Sequence, residues 1–506
     1  KRPQFSSSKP VDYKRPSLSS SKPVDDKRPQ FSSSKPVDDK RQQFSSSKPV
    51  DYKRPPFSSS KPVDEPDLYL SFRKIKTENF NESFRNYHEK NSTLPKLFFD
   101  SSKMEDFFSD VLNYYNDLLN PLGTKNPTLS NGHLYANKIE VNESAKVYIF
   151  GDFHSSISSL RKILCKLIQN KVINDRFKII GDNNYLIFLG DLVDRGPYSL
   201  ELLSIVLQLK LINKNNVYII NGNHEDFNTY NRYGFMIELN NEVKNKVKLR
   251  NNIMTTLSCL PIAIFLKFGK GKDKYYQLCH GGIEPKYNPK YDLLNDSNIF
   301  ILNHRNENGP IINPPDYDGH GLKWSDFDMS EQVSRNSDRG AGYVYGYSAT
   351  EKYLENNNLK AIISGHQDMT PLGLLIGKND DKHLAQKNLT FTRYFTKNYP
   401  KNPLAHKNLT LTGYFTTNHP EKPFYRKTLY VPSKNMVNTN NYEIDLIPGE
   451  DFIALTTSTA IESKYLKHHC YLELNKDELK VHLLKNELNK IKKSLDKLPV
   501  TDDSCA

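Results

Sequence analysis

Short apolar runs recur through the middle of the chain, and each stops at a polar cluster. The run 147–150 ends at Gly151-Asp152-Phe153-His154, the run 186–189 at Gly190-Asp191, and the run 217–220 shortly before Gly222-Asn223-His224-Glu225. Two more short strands, 275–279 and 361–364, end at His280-Gly281-Gly282 and Gly365-His366-Gln367. Such runs, bounded by glycine, read as buried strands. Between them the spacing turns helical. Ile157, Leu160, Ile163, Leu164, Leu167 and Ile168 share one stripe, and a second helix is expected near 199–211. Alternating strand and helix signals from about residue 139 predict an α/β layer fold. A parallel sheet gathers its ligands beyond the carboxyl ends of its strands, so the polar clusters are where chemistry should collect.

The same patterning divides the rest of the chain. Residues 66–138 read as a helical lead-in: Ser102 and Glu105 have capping-box spacing, and Phe107, Phe108, Val111, Leu112, Tyr115, Leu118 and Leu119 follow on one face. A catalytic domain is expected over 139–485, with a repeat-containing insertion at 379–450. In that insertion Lys387-Asn388-Leu389-Thr390-Phe391-Thr392 recurs as Lys407-Asn408-Leu409-Thr410-Leu411-Thr412, and a third start stands at Lys427-Thr428-Leu429-Tyr430. The alternation suggests a β-hairpin-like piece. The runs 452–455 and 471–474 resume the sheet. Leu484, Leu488, Ile491, Leu495 and Leu498 have the spacing of an amphipathic helix, assigned with the tail to 486–506.

Residues 1–65 are five copies of a 13-residue unit that begins Lys1-Arg2-Pro3-Gln4-Phe5-Ser6-Ser7-Ser8-Lys9-Pro10. Each copy offers two large apolar groups, too few to offset the entropy of ordering, so a disordered tail is expected. It reads as a spacer or as a multivalent array for protein partners.

Charge refines this division. The net charge is +13, but residues 1–65 hold fifteen Lys/Arg against eight Asp/Glu, and 380–430 hold nine against three. The rest of the chain is neutral, so the presumed catalytic body lacks the basic footprint of a nucleic-acid binder. Five scattered cysteines without metal-type pairing point to reduced thiols in a cytoplasm-like compartment. No apolar run reaches the ~20 residues of a membrane helix. The chain starts at Lys1 and not Met, which leaves a preceding segment open.

The strand-end clusters supply Asp152, His154, Asp191, Asn223, His280 and His366: carboxylates, an amide oxygen and imidazoles, with no thiolate. That set suits Mn, Fe or Zn. Six ligands exceed the three of one open catalytic zinc and match two ions about 3.5–4 Å apart, with Asp191 the natural bridge. Two such ions supply hydroxide at neutral pH and clamp the oxygens of an in-line displacement, so phosphate ester hydrolysis is the first chemistry to expect. A leaving alkoxide needs a proton. His224, beside Asn223, could give it, with Asp194 orienting the imidazole. Arg195 and Arg339 offer fork geometry to phosphoryl oxygens.

With these residues in place, the chain resembles the calcineurin-like metallophosphoesterases, and within them the eukaryotic-type serine/threonine phosphoprotein phosphatases. The family order GDxHG, GDxxDRG, GNHE, HGG and a late histidine has counterparts throughout. Asn231-Arg232-Tyr233-Gly234-Phe235, Trp324-Ser325-Asp326 and Asp338-Arg339-Gly340-Ala341-Gly342 are further matches. The resemblance implies a central β-sandwich flanked by helices, with a dinuclear metal site at the strand ends. It implies one metal on Asp152, His154 and Asp191, and the other on Asp191, Asn223, His280 and His366. His224 and Asp194 would form the proton-donor pair. Arg195, Arg339, Asn223 and Tyr233 would face the substrate phosphate, carried on a phosphoprotein.

Three departures stand out. Ser155 replaces the glycine that closes GDxHG, a change expected to be tolerated with φ < 0. The loop that carries an overhanging tyrosine in the family reads Thr456-Thr457-Ser458-Thr459-Ala460-Ile461-Glu462 here. The 387–426 duplication precedes that loop. The alternatives are a dinucleoside polyphosphate hydrolase of the same superfamily and a binding protein using the basic repeats.

Overall fold

The computed structural model describes residues 100–122 and 134–485, apart from 272, 286, 303, 306–310, 313–319, 328–333, 336–338, 368–371, 377–390, 393–426, 431–440 and 460–467. The 13-residue repeats, the 486–506 helix and most of the period-20 duplication lie outside the described residues.

Two sheets carry the site. The six-stranded sheet runs Asn441–Leu446, Leu479–Lys485, His468–Leu474, Lys146–Phe150, Asn184–Phe188, Val217–Ile219, and its last three strands are parallel. The nine-stranded sheet runs Phe391–Thr392, Lys427–Tyr430, Leu372–Ile376, Phe452–Thr457, Leu359–Ser364, Tyr275–Cys279, Ala263–Phe268, Tyr135–Val141, Ile299–Ile301. Within it Tyr275–Cys279, Leu359–Ser364 and Phe452–Thr457 are parallel.

Period-two alternation explains how the sheets stack. Val147 and Ile149 pack with Ile264, Leu266, Ile363 and Leu455 in one buried cluster, which is the filling between the sheets. Their neighbours Tyr148 and Phe150 point the other way, into a cluster with Leu160, Leu164, Leu203 and Leu207 from the helices Ile157–Gln169 and Ser199–Ile212. On the far side, Phe265 and Ile362 pack with Tyr347 and Leu354 of the helix Tyr347–Asn356. The result is a β-sandwich with helices on both outer faces. Each fully buried Leu, Ile or Phe in these layers contributes roughly 1.5–3 kcal/mol of transfer free energy.

Helix Ser199–Ile212 is buried from Ser199 to Lys210. Lys210 at its end donates Nζ to the carbonyls of Lys214 and Val217 at 2.7 and 2.6 Å, which ties the helix to the strand that follows.

Several elements differ from their sequence expectation. The lead-in helix is Met104–Leu119, and it buries Phe108, Val111, Tyr115 and Leu119 as the spacing required. Its capping box is not formed: the cap is Lys103, without a side-chain cap bond, and the Ser102 hydroxyl donates instead to Asp100 Oδ1 at 2.6 Å. The sheet begins at Tyr135, before residue 139. Leu484, placed by its spacing on a helix, lies in the strand Leu479–Lys485, paired on both sides. Asn441–Leu446, inside the stretch assigned to the 379–450 insertion, is an edge strand of the six-stranded sheet. Phe391–Thr392 of the first period-20 copy pairs antiparallel with Lys427–Tyr430, which starts the third. Cys165, Cys259, Cys279 and Cys470 are free thiols. Among the described residues no helix is long and apolar enough to cross a membrane.

One ion-pair cluster crosses the six-stranded sheet. Glu473 accepts from His482 Nε2 at 3.2 Å and from Lys146 Nζ at 2.8 Å. Partial burial works against its charge, but those two donors outweigh it and hold the carboxyl down at about 2. A carboxyl depressed on folding stabilises above its unfolded value, and the gain fades as pH falls from near 4.5 toward 2. Glu473→Gln should therefore lower stability near neutral pH, on the order of 1 kcal/mol after solvent screening. The thermal-midpoint difference from wild type should vanish in acid. A difference that persists unchanged at low pH would assign the loss to packing and not to charge.

Candidate metal centre

The polar residues that close the parallel strands converge at one end of the sandwich. Asp152 follows strand Lys146–Phe150, Asp191 follows Asn184–Phe188, and Asn223 opens the 3-10 turn Asn223–Glu225 after Val217–Ile219. From the other sheet, His280 follows Tyr275–Cys279 and His366 follows Leu359–Ser364. Asp152, His154, Asp191, Asn223, His280 and His366 are each at most 3% exposed. So many polar groups taken from water need strong partners.

Asp191 sits at the centre. Its Oδ2 is 3.5 Å from His154 Nε2, and its Oδ1 is 3.2 Å from His280 Nε2. Asp152 lies to one side, with Oδ1 3.9 Å from His280 Nδ1 and Oδ2 4.0 Å from His154 Nε2. The Asn223 amide oxygen stands 2.7 Å from His280 Nε2 and 3.0 Å from His366 Nδ1. Backbone carbonyls fix two of the imidazoles. His154 Nδ1 lies 3.1 Å from Val193 O and His280 Nδ1 lies 2.9 Å from Leu189 O. A carbonyl only accepts, so both Nδ1 atoms carry the proton and both Nε2 atoms turn lone pairs toward Asp191. Carboxylate oxygens, an amide oxygen and imidazole lone pairs facing one another fit cations.

Ligand atoms of His154, Asp191 and His224 lie within 4.8 Å of one another, as do those of Asp152, Asp191 and His280. Asp191 belongs to both groups and turns a different oxygen to each. Burial by itself would push its carboxyl up, but the imidazoles of His280, His224 and His154 outweigh burial and hold it well below the carboxylate range. Burial would lower His280, yet the carboxylates of Asp191, Asp152 and Glu225 carry it up to about 9, so a cation that takes the Nε2 lone pair has to displace a proton there.

The backbone here is strained. Among the described residues nine non-glycine positions have positive φ, and six lie in these loops: His154, Ser155, Asp191, Asp194, Arg195 and His366. Left-handed backbone costs non-glycine residues energy, and it survives where surrounding bonds over-determine it. Glu225 does much of that work. Its carboxylate accepts the N–H groups of Asp191, Leu192 and Gly222, each at 2.8 Å. Gly222 must be glycine, because a Cβ there would run into Asp191 Oδ1.

His224 sits beside this centre. Its Nδ1 is 2.7 Å from Asp194 Oδ2, and its Nε2 is 4.0 Å from Asp191 Oδ2. Burial lowers its pKa, an effect that Asp191 and Asp194 oppose. Arg195 brings a guanidinium nitrogen to 3.4 Å from His224 Nε2. Tyr233, half exposed, sets its ring centroid 5.0 Å from that of His224. Arg339 is held beside His366: Nε donates to Asp326 Oδ2 at 2.8 Å and a terminal nitrogen donates to His366 O at 3.4 Å.

All the residues expected at the site are therefore brought together. Two supporting residues had no expected role. Glu225 and Asp326 were visible only as letters of their motifs, and nothing in spacing reveals a carboxylate that accepts backbone N–H groups across 33 residues. The condition set for serine at position 155 is not met: Ser155 adopts φ +63°, not a negative value. Its hydroxyl offsets that conformation with bonds to Asp194 O at 3.1 Å and Ser199 Oγ at 2.5 Å. The segment that stands in for the tyrosine loop runs along Asp152. Ser458 bridges it, and Thr459 N donates to Asp152 O at 3.1 Å. Residues 460–462 of that loop lie outside the described residues.

Residues 145–368 match the family model of calcineurin-like phosphoesterases. A serine/threonine-protein phosphatase PP2A-like PPG1 of Candida albicans is 30% identical over 224 residues, 44% of this chain and 46% of that protein. A serine/threonine-protein phosphatase 6 catalytic subunit of Caenorhabditis elegans is 30% identical over 239 residues, 46% of this chain and 61% of that protein. The chain thus spans about half to three fifths of these relatives. Among solved structures, a Saccharomyces cerevisiae serine/threonine phosphatase with similarity to human phosphatase PP5 aligns over 82% of this chain and 97% of its own. Its TM-score is 0.45 and its identity 16%.

Proposed function

From a chain whose residues 145–368 form a calcineurin-like phosphoesterase domain, we propose a phosphoprotein phosphatase that hydrolyses phosphate monoesters on serine or threonine side chains. The observation that carries this reading is Asp191, whose two carboxylate oxygens face different imidazoles, 3.5 and 3.2 Å away. Asp152, His154 and Asp191 would hold one metal, and Asp191, Asn223, His280 and His366 the other. The donor set suits Mn, Fe or Zn. When bound, such a pair supplies an activated water and Lewis-acid polarisation of the phosphoryl oxygens.

The chain's own residues supply the rest. Arg195 and Arg339 would bind the equatorial phosphoryl oxygens, and Asn223 would face them from the metal side. Tyr233 would line the cleft beside the substrate side chain. Asp194 Oδ2 accepts from His224 Nδ1–H and orients the ring, which leaves Nε2, 4.0 Å from Asp191 Oδ2, as the atom that would carry the proton to the leaving oxygen. An alkoxide leaving from serine or threonine needs that proton far more than a phenolate does, which favours alkyl esters as substrates.

The test is phosphate release by the full chain, with Mn, Fe or Zn, from phosphoserine, phosphothreonine and phosphotyrosine peptides, run beside dinucleoside polyphosphates. Release from the serine and threonine peptides is expected. Turnover of the dinucleoside polyphosphates alone would replace this reading with the nucleotide-hydrolase one.

A further inference from the structure

Asp194 has every polar group engaged. Its Oδ2 takes His224 Nδ1–H at 2.7 Å, and its Oδ1 accepts Phe235 N–H at 2.8 Å. Its backbone is held by two buried hydroxyls. Asp194 N–H donates to Ser199 Oγ at 3.3 Å, and Asp194 O accepts from Ser155 Oγ at 3.1 Å. The two hydroxyls lie 2.5 Å apart. Only one proton arrangement satisfies all three bonds: Ser199 O–H donates to Ser155 Oγ, Ser155 O–H donates to Asp194 O, and Asp194 N–H donates to Ser199 Oγ. The ring closes on itself, and Asp194, Ser155 and Ser199 are at most 1% exposed.

The ring is anchored from outside. The Glu238 carboxylate accepts Ser199 N–H at 3.1 Å and Leu200 N–H at 2.8 Å, which fixes the start of helix Ser199–Ile212. Ser155 N–H donates to Leu192 O at 2.9 Å. Both Asp194, at φ +73°, and Ser155, at φ +63°, hold left-handed backbone that each would leave if unrestrained.

We infer that Ser155 and Ser199 are positioning residues of the proposed reaction: their hydroxyls clamp both backbone poles of Asp194 and thereby aim the His224 imidazole at the leaving oxygen. The inference rests on the phosphatase reading for its chemistry but not for its geometry. A general acid works only within hydrogen-bond reach of its target, so a small swing of Asp194 acts on the step in which a proton is given. It leaves substrate binding and the Asp152–Asp191 centre in place.

Ser155→Gly is the sharpest variant, because glycine accepts φ +63° and so removes the hydroxyl without straining the backbone. In the full chain it should lower kcat on a phosphoserine peptide about tenfold with KM unchanged. On p-nitrophenyl phosphate, whose leaving group departs without a proton, kcat should stay within about twofold. Added to His224→Asn, it should cost nothing further, as expected for residues acting through one group. Ser199→Ala should give the same pattern. In the metal-free protein, hydrogen exchange of the Asp194 and Phe235 amides should quicken about tenfold in both variants. Equal losses on the two substrates, a further loss beyond His224→Asn, or unchanged exchange would overturn the assignment. If the wild-type chain turns over neither substrate, the phosphatase reading falls, and the exchange rates still decide whether the hydroxyls hold Asp194.

Discussion

Asp191→Asn should abolish phosphate release and leave neither metal tightly held. The substitution keeps the side-chain shape and an oxygen that can still accept His224 N–H, now 2.9 Å from Oδ1. It removes the negative charge and one of two oxygens. Those oxygens point to different sides, Oδ2 to His154 and Oδ1 to His280. Two cations about 3.5–4 Å apart repel strongly unless an anion lies between them. A neutral amide cannot play that part, and its nitrogen turns donor protons toward one of the two sites. The loss should therefore appear in binding as well as in rate. Elemental analysis of the wild type should find two metals per chain, and the variant should lose both on dialysis. Thermal unfolding gives an independent readout. Metal at a hundred times its dissociation constant stabilises the native wild type by about 2.7 kcal/mol per site, and that increment should collapse in the variant. Two metals retained through dialysis by Asp191→Asn would remove the bridge from this account.

The centre was legible because its ligands each close a short strand, and strand ends are written in sequence as an apolar run followed by glycine. Asp152, Asp191 and His366 all carry that local mark. What holds them was not legible. Glu225 fixes the loop of Asp191 through backbone N–H groups of residues 191 and 192, a contact with no periodicity and no charge partner to announce it. Ser199 reads as the start of an apolar helix, and only the fold brings it to Ser155. Ser155 holds left-handed backbone at φ +63° because its hydroxyl bonds to Asp194 O and Ser199 Oγ offset the cost, and those partners lie 39 and 44 residues away. The fold shows the same division. Strand–helix alternation fixed the parallel strands, whereas Leu484 stands where two patterns meet: it starts the 4-3 leucine spacing that runs on to Leu498, and it also lies at the end of the alternating run Leu479, Val481, Leu483. Pairing with His468–Leu474 and Asn441–Leu446 decided it, and pairing partners are distant in sequence.

His224→Asn should keep both metals and lower turnover of phosphoserine peptides by 10²–10⁴, the range for a lost general acid. In barrier terms this is about 3–5 kcal/mol. His224 lies at the edge of the centre: its Nε2 is 4.0 Å from Asp191 Oδ2, and its Nδ1 is spent on Asp194. Asparagine at this position can still hydrogen-bond Asp194, so the loop that carries Asn223 should keep its course. What it cannot do is carry a proton at the Nε2 position and deliver it. The size of the loss should follow the leaving group. Serine and threonine alkoxides are poor leaving groups and feel the whole effect, while an aryl phosphate leaves as a stabilised phenoxide and should lose little. Among a series of aryl phosphates, the variant's rate should depend more steeply on leaving-group pKa than the wild type's. The nearness of His224 to the ligand atoms of His154 and Asp191 offers a competing role as a metal ligand. Ligand loss would lower metal content and slow alkyl and aryl substrates alike. Full metal content with a loss confined to alkyl esters assigns His224 to the proton; equal losses with a missing metal assign it to the centre.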